Sequence, residues 1–441
     1  MLVLFCLVAV LICLTSPPTL ARSPRDAAKG CTAPYTLPNL PFFVVWNVPS
    51  GGCDSHGTIL NLTAYRIVTN KNDQFFGENM VIFYGYGDWP FYGGKNHTPS
   101  NGGIPQEGNL SEHFRKATAV TNQNIPDPNF NGLAVIDFES WRPHLPLNFD
   151  SLRIYQTKSV DLVKKQHPTW TNTTQIMEEA TRQFDIAARN FMQGSLQLGR
   201  QLRPNAYWGY YGYPRCWGPS TTNECPVPGT WNTNDKYMGW LFSTNTGLFP
   251  RIYTNRKTPI HSRYLYVRQT VNETLRVQVK WAGLNTPIMP YTLSQDNGSD
   301  FFQKDDLKVA IEEPAAMGAS GVVIWGSSGF FHTKDECHKM QDDINNVLGP
   351  FIKNLTDFTQ ACANELCNNH GRCIRKDFEA STQNFLRLYE KEACVRPREE
   401  YEDIGGRRRG LFGGRYPTLK KYDYYVCRCL PGWSGEYCNK N

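Results

Sequence analysis

The sequence predicts an α/β fold, a (β/α) barrel followed by a small cysteine-rich module. Apolar β-like runs recur along the chain, and stretches with helical spacing separate several of them over roughly 320 residues. The chemically capable residues gather at the ends of those runs, where barrels of this kind keep their active sites. Past Asp357 the texture changes to closely spaced cysteines, in a segment too small to hold a core without cross-links.

The chain opens with an uncharged apolar run, Leu2 to Leu14, which ends at Ser16-Pro-Pro18 and is followed by the small residues around Ala21. This reads as a secretory signal peptide over 1–21, although the usual basic start is missing. It is too short to cross a bilayer, which takes about 20 apolar residues. No later segment is as apolar and no tail suggests a lipid anchor, so the mature chain is expected to be soluble. Of the 14 cysteines, Cys6 and Cys13 belong to the signal, and the even number remaining suits an oxidising compartment. Glycosylation sequons at Asn61, Asn96, Asn109, Asn172, Asn272, Asn297 and Asn354 point the same way. A net charge of +6 suits an anionic extracellular partner without proving one.

The barrel domain is expected over 22–356. Its strand-like runs are Pro41 to Val48, Met80 to Gly85, Gly132 to Glu139, Ala206 to Tyr213, Gly247 to Tyr253, Thr286 to Thr292 and Gly321 to Gly326. Between them, Thr174 to Arg203 carries Ile176, Ala180, Phe184, Ala187, Ala188 and Phe191 at helical spacing, and Asp305 to Met317 and Glu336 to Leu348 are similar. The run Gly132-Leu-Ala-Val-Ile-Asp-Phe-Glu139 is the most informative. Side chains i and i+2 of a strand share a face, so Asp137 and Glu139 stand together while Ile136 and Phe138 face the opposite layer. Repulsion and partial burial raise the pKa of one such carboxyl, which is how a Glu stays protonated to act as a general acid. The same pattern also serves as a solvated loop edge or an ion-paired couple. Tyr84, Tyr211, Tyr253, Tyr291 and Trp325 fall at other strand ends, and aromatic faces stack on the apolar faces of sugar rings. Each taken alone is as readily a packing residue.

The tail, 357–441, spaces Cys362, Cys367, Cys373, Cys427, Cys429 and Cys438 as an EGF-like module does, with Pro431-Gly-Trp433 inside the last pair. Resemblance to that module implies Cys362–Cys373, Cys367–Cys427 and Cys429–Cys438, among the connectivities that six cysteines allow. An insertion, Ile374 to Val426, carries the basic run Arg407 to Arg409, either a polyanion-binding patch or a solvated loop.

The motifs Asn131-Gly-Leu-Ala-Val-Ile-Asp-Phe-Glu-Ser-Trp-Arg-Pro143, Tyr207-Trp-Gly-Tyr-Tyr-Gly-Tyr-Pro-Arg-Cys216, Phe249-Pro-Arg-Ile-Tyr253 and Gly321-Val-Val-Ile-Trp-Gly-Ser-Ser328 resemble, in order, the animal hyaluronidases of the venom and sperm type. The resemblance runs from about Leu40 to the end. It implies a distorted TIM-like barrel and a retaining endo-β-N-acetylhexosaminidase acting on hyaluronan and, more slowly, on chondroitin. It implies Glu139 as proton donor, Asp137 and Tyr211 as the residues that orient the substrate acetamido group, and Tyr84, Tyr253, Tyr291, Trp325 and Ser327 along the sugar subsites. The acetamide carbonyl would itself attack the anomeric carbon, a substrate-assisted exception to the two-carboxylate rule. The likeness also implies Cys53–Cys337 and Cys216–Cys225, leaving Cys31 and Cys394 over, and the setting of a secreted, monomeric venom spreading factor. No cofactor, metal, nucleic acid or membrane partner is expected, because the nine His show no ligand spacing and no phosphate-cradling loop follows a strand. A chondroitin-preferring endoglycosidase and an inactive carbohydrate-binding protein are the alternatives. One departure stands out. Where vertebrate members carry an Arg that meets the substrate carboxylate, this chain has Thr270. Arg268 could substitute only if the helix start shifts, and the sequon at Asn272 makes that edge look exposed.

Overall fold

The computed structural model describes residues 40–94, 96–217, 229–296, 300–327, 329, 331–376, 422 and 424–441. The expected signal peptide, Cys31, Cys225, Asn297, Cys394 and the Arg407–Arg409 run lie outside the described residues.

In chain order the strands are β1 (Phe43–Asn47), β2 (Ile67–Thr69), β3 (Met80–Phe83), a hairpin of β4 (Phe91–Gly93) and β5 (Thr98–Ser100), β6 (Leu133–Ile136), β7 (Tyr207–Tyr210), β8 (Tyr291–Thr292), a ribbon of β9 (Gln295–Asp296) and β10 (Asp300–Phe301), and β11 (Gly321–Trp325). Two parallel sheets, β2-β1-β11-β8 and β3-β6-β7, form the barrel wall. Residues 248–251 join them without forming a regular strand, through parallel bridges of Phe249 to Tyr211, Leu248 to Ile288 and Arg251 to Tyr291. The apolar runs Gly247 to Tyr253 and Thr286 to Thr292 were expected as full strands. Pro250, Pro287 and Pro290 remove the amide donors a ladder needs, so only bridges and the two residues of β8 remain.

On the far side of the ring, β2 and β3 share no ladder. Asn70 spans the seam instead: its side-chain amide donates to the Met80 carbonyl at 2.8 Å and accepts from the Asn79 and Met80 amides at 3.1 and 3.0 Å. One side chain thus supplies the bonds a strand pair would make. The central strands are buried on both sides, as parallel strands covered by helices must be. Alternation then sorts them into layers. Phe43, Val45, Met80, Ile82, Leu133, Val135 and Val323 fill the barrel interior, while Val81, Phe83, Ala134 and Ile136 meet the helices.

The longer helices are α1 (Leu110–Asn124), α2 (Arg153–Gln166), α3 (Thr173–Leu202), α4 (Ile260–Val277), α5 (Lys334–Asp343) and α6 (Gly349–Leu366). The stripe read in the sequence is the buried face of α3, with Ile176, Ala180, Phe184, Ala188 and Phe191 inside. Gly199 lets α3 lie against β7, since a Cβ there would sit 2.7 Å from the Trp208 ring. Asn109 and Asn172 cap α1 and α3 by accepting backbone N–H bonds. α1 and α2 bury only His113, Ala117, Thr121 and Tyr155, Ser159, Val163, too few apolar residues to show a period in the sequence. α5 passes through a wide turn at Ile344–Leu348 into α6, which crosses residue 357 without a break.

The disulfide Cys53–Cys337 ties the segment after β1 to α5. Beyond α6, β12 (Gly371–Arg375) pairs antiparallel with β13 (Tyr425–Cys429), held by Cys362–Cys373, Cys367–Cys427 and Cys429–Cys438. This module sits on the barrel's base. Arg372 Nε donates to the Pro41 carbonyl just before β1 at 2.8 Å, and Arg375 pairs with Glu313 at 3.0 Å. Glu313 is 1% exposed and also pairs with Arg268 of α4.

Candidate active site

β6 delivers the carboxylates. Its register sets Ile136 between Phe83 of β3 and Tyr210 of β7, so the next residue on each strand, Tyr84, Asp137 and Tyr211, emerges side by side at the C-terminal rim. The Asp137 amide donates to the Phe83 carbonyl and the Tyr211 amide to the Ile136 carbonyl, both at 3.0 Å. β6 ends at Ile136, so Asp137 and Glu139 lie just past the strand that was expected to reach Glu139, and Ile136 and Phe138 pack outward against the helices. Asp137 is half-buried and Glu139 is exposed. Burial, reinforced by the Glu139 charge, raises the Asp137 carboxyl to about 7. The carboxyl that the fold holds neutral towards pH 7 is therefore Asp137, the more enclosed of the two.

An aromatic wall stands beside this pair. The Tyr211 ring lies 6.2 Å from Tyr253 and 5.0 Å from Tyr291, and Tyr253 stacks at 6.3 Å on Trp325. The Tyr253 hydroxyl donates to that of Tyr211, and burial pushes both phenols up. Trp325 Nε1 donates to the Tyr84 hydroxyl at 2.7 Å, which links the end of β11 to the end of β3 across the barrel mouth. Burial chiefly, offset by that bond and helped by Asp137, lifts Tyr84 to about 12. Tyr84 is 51% exposed, whereas Tyr291 is fully buried with its hydroxyl unpartnered among the described residues. Ser327 makes a local bond, accepting from the Gly329 amide at 3.2 Å. Cys216 is disulfide-bonded, and its expected partner Cys225 lies outside the described residues.

The α4 edge differs from the expectation. Thr270 is 2% exposed and its hydroxyl donates to the Tyr266 carbonyl at 2.9 Å, so this edge is interior. Glu273 and Arg276 beside it form a buried ion pair that extends to Asp235. α4 runs unbroken through this stretch, and Arg268 is paired to Glu313 on the helix packed against it, so no shift brings Arg268 to the cleft.

Three arginines lie within the motifs at the rim, and the sequence alone assigns them no role. Arg142, Arg215 and Arg251 each flank a proline on the loop after a wall segment, and a cation at that place in three motifs was the available signal. Asn47, also missed, is the inward-facing end of β1, fully buried with both amide atoms unpartnered among the described residues. No cluster of three or more metal-ligating side chains occurs among the described residues. No described helix is long and apolar enough to cross a membrane.

Two close carboxyls at a barrel rim, lined by aromatic rings, can hold a sugar and pass a proton to its glycosidic oxygen. A sequence model of the family described as hyaluronidase matches residues 31–441. Human hyaluronidase-1 is 36% identical over 431 residues, covering 94% of this chain and 95% of the human protein. Hyaluronidase conohyal-P1 of Conus purpurascens is 33% identical, covering 96% of this chain and 86% of its own. Among solved structures, bee venom hyaluronidase in complex with a hyaluronic acid tetramer aligns with a TM-score of 0.67 at 34% identity, over 71% of this chain and 99% of the bee chain.

Proposed function

From the premise that the chain belongs to the hyaluronidase family and is a glycosidase that degrades hyaluronan, we propose that it cuts internal β-1,4 bonds between N-acetylglucosamine and glucuronate by a retaining, substrate-assisted route. The observation that carries this is the electrostatically interacting Asp137–Glu139 pair just past the C-terminal end of β6 beside the Tyr211–Tyr253–Trp325 wall. Glu139 gives its proton to the glycosidic oxygen as the bond to the anomeric carbon breaks. The acetamide carbonyl oxygen of the same sugar closes on that carbon, forming an oxazolinium-like ring. Asp137 accepts the acetamide N–H and balances the positive charge. Water then opens the ring, returning a proton to Glu139 and leaving the β configuration.

The raised pKa of Asp137 fits this part. Its charged form is disfavoured in the free protein and is favoured by a hydrogen bond from an acetamide N–H, so the charge arises where the intermediate needs it. Tyr211 holds the acetamide from the other side, and Tyr84, Tyr253, Trp325 and Ser327 line the sugar subsites, whereas Tyr291, expected among them, is fully buried and packs against Tyr211. We assign the barrel to 22–356 and an EGF-like accessory module to the remainder, in a secreted, monomeric protein with the setting of a venom spreading factor. The likeness to the bee venom enzyme and the disulfides support that setting.

Incubating the secreted protein with hyaluronan, chondroitin and chondroitin sulfate and sizing the products tests the substrate, with chondroitin expected to be cut more slowly. Hyaluronan stripped of its acetyl groups should resist cleavage, and NMR should show the β product first. An α product, or normal cleavage of the stripped polymer, would overturn the mechanism.

A further inference from the structure

The rim carries three arginines that form no ion pair with a described residue. Arg142 follows β6, Arg215 follows β7 and Arg251 ends the bridging segment 248–251, so three consecutive wall segments each bring one guanidinium to the C-terminal rim. None has a carboxylate partner among the described residues. Elsewhere Arg263 pairs with Asp306 at 2.7 Å, Arg276 with Asp235 at 2.8 Å and Arg375 with Glu313 at 3.0 Å, and the buried Arg203 is held by the Ile125 and Leu202 carbonyls and the Asn122 side chain.

The three lie against aromatic faces instead. The Arg251 guanidinium carbon is 5.9 Å from the Tyr253 ring centroid, within the wall that faces Glu139. Arg215 is 5.7 Å from Trp217, and Arg142 reaches both Trp217 at 5.9 Å and Phe149 at 4.4 Å. Arg142 is tied down further by donating to the Leu147 carbonyl, whereas the Arg215 and Arg251 guanidinium groups form no ion pair with a described residue. Burial and the nearby Arg215 charge together lower the Arg142 guanidinium, so these two cations repel each other, whereas Arg251 is raised against burial by Tyr266, Tyr211 and Glu139. An arginine backed by an aromatic face and open on its other side is pre-set for bidentate recognition of a planar carboxylate.

We propose that Arg251 and Arg215 are the uronate-binding residues of the cleft, each taking a carboxylate of the polymer next to the sugar whose bond is cut. The inference rests on the function proposed above and deepens it. It makes the enzyme a reader of the alternating charge of its substrate and leaves neutral N-acetylhexosamine polymers weakly held. The aromatic wall supplies stacking to either kind of polymer, and the two arginines supply the discrimination.

Arg251→Ala and Arg215→Ala, each in the full chain, are compared with the parent in KM and kcat on hyaluronan. Binding of hyaluronan oligosaccharides and of the same oligosaccharides with their carboxylates reduced to alcohols is measured by calorimetry. Each variant should raise KM about tenfold, the scale of one charge-assisted pair, with kcat within about twofold. Affinity should fall for native oligosaccharides only, and Arg251→Lys should recover part of it. Unchanged affinity for native oligosaccharides, or equal losses for native and reduced ones, overturns the assignment. A parent chain that leaves hyaluronan uncut overturns the function itself, and this inference with it, whereas active variants with an unaltered KM overturn the inference alone.

Discussion

Asp137→Asn should make the protein more stable at neutral and alkaline pH while disabling it. In the folded chain the Asp137 carboxyl is raised from 3.8 to about 7, with burial the larger cause and Glu139 the smaller. A rise of that size is a preference for the neutral form of about 4 kcal/mol, and the half-buried position allows about 2–4 kcal/mol after screening by water. The folded state binds a proton that the unfolded state has released, so this group subtracts from stability as pH rises. Below about pH 4 the carboxyl is protonated in both states and contributes nothing. Between about 4 and 7 stability falls by up to 1.4 kcal/mol per pH unit, and above 7 the whole penalty is present. Asn carries no charge to bury. Its unfolding midpoint should therefore match the parent at pH 4 and exceed it by about 3–5 °C at pH 8, with turnover nearly abolished. Circular-dichroism melts of both proteins from pH 4 to pH 8 make the comparison. A gap that is independent of pH, or a less stable Asn variant at pH 8, would refute the reasoning.

Glu139→Gln keeps shape and hydrogen-bonding reach but has no proton to give. Turnover should fall by about 10²–10⁴-fold, with hyaluronan binding retained in calorimetry. Replacing both Cys53 and Cys337 by Ala frees a loop of 284 residues and should lower stability by about 2–4 kcal/mol, read from denaturant midpoints, with kcat kept under native conditions. Arg375→Ala strips one of the two ion-pair partners from the buried Glu313 and should cost about 1–3 kcal/mol of stability without altering kcat/KM. Peptide mapping of the secreted protein should find glycans at the exposed Asn61, Asn96, Asn109 and Asn172. Asn272 should be bare, because Glu273 and Thr274 of its sequon are buried in α4.

The position of the two carboxyls at the C-terminal rim was legible because an apolar strand-like run is a local signal. Gly132 to Glu139 reads as a strand that sets Asp137 and Glu139 on one face; the observed β6 stops at Ile136, and the pair still interacts electrostatically just past its end. What escaped depended on partners distant in sequence. α1 and α2 bury too few apolar side chains to show a period, and the prolines at 250, 287 and 290 break ladders inside runs that look continuous in composition. The seam at Asn70 is a side chain doing a backbone's task, which periodicity cannot register. Which carboxyl would be the enclosed one could not be read from spacing, since it depends on how far each projects past β6. The α4 edge misled for a related reason. A sequon marks an acceptor sequence and carries no information about burial, and Thr270 proved to be interior.

The base-mounted module also determines which way the molecule faces. Arg372 reaches the carbonyl before β1, and Arg428 lies 2.7 Å from where a Cβ on Gly318, just before β11, would sit, so the module covers the N-terminal ends of strands whose C-terminal ends carry the chemistry. A tether attached at Asn441 would then hold the catalytic mouth towards the bulk solution. An enzyme fixed to a bead or gel through its last residue should meet a polymer many times its own length as freely as the dissolved enzyme does, whereas random coupling through surface lysines would leave part of the population facing the support.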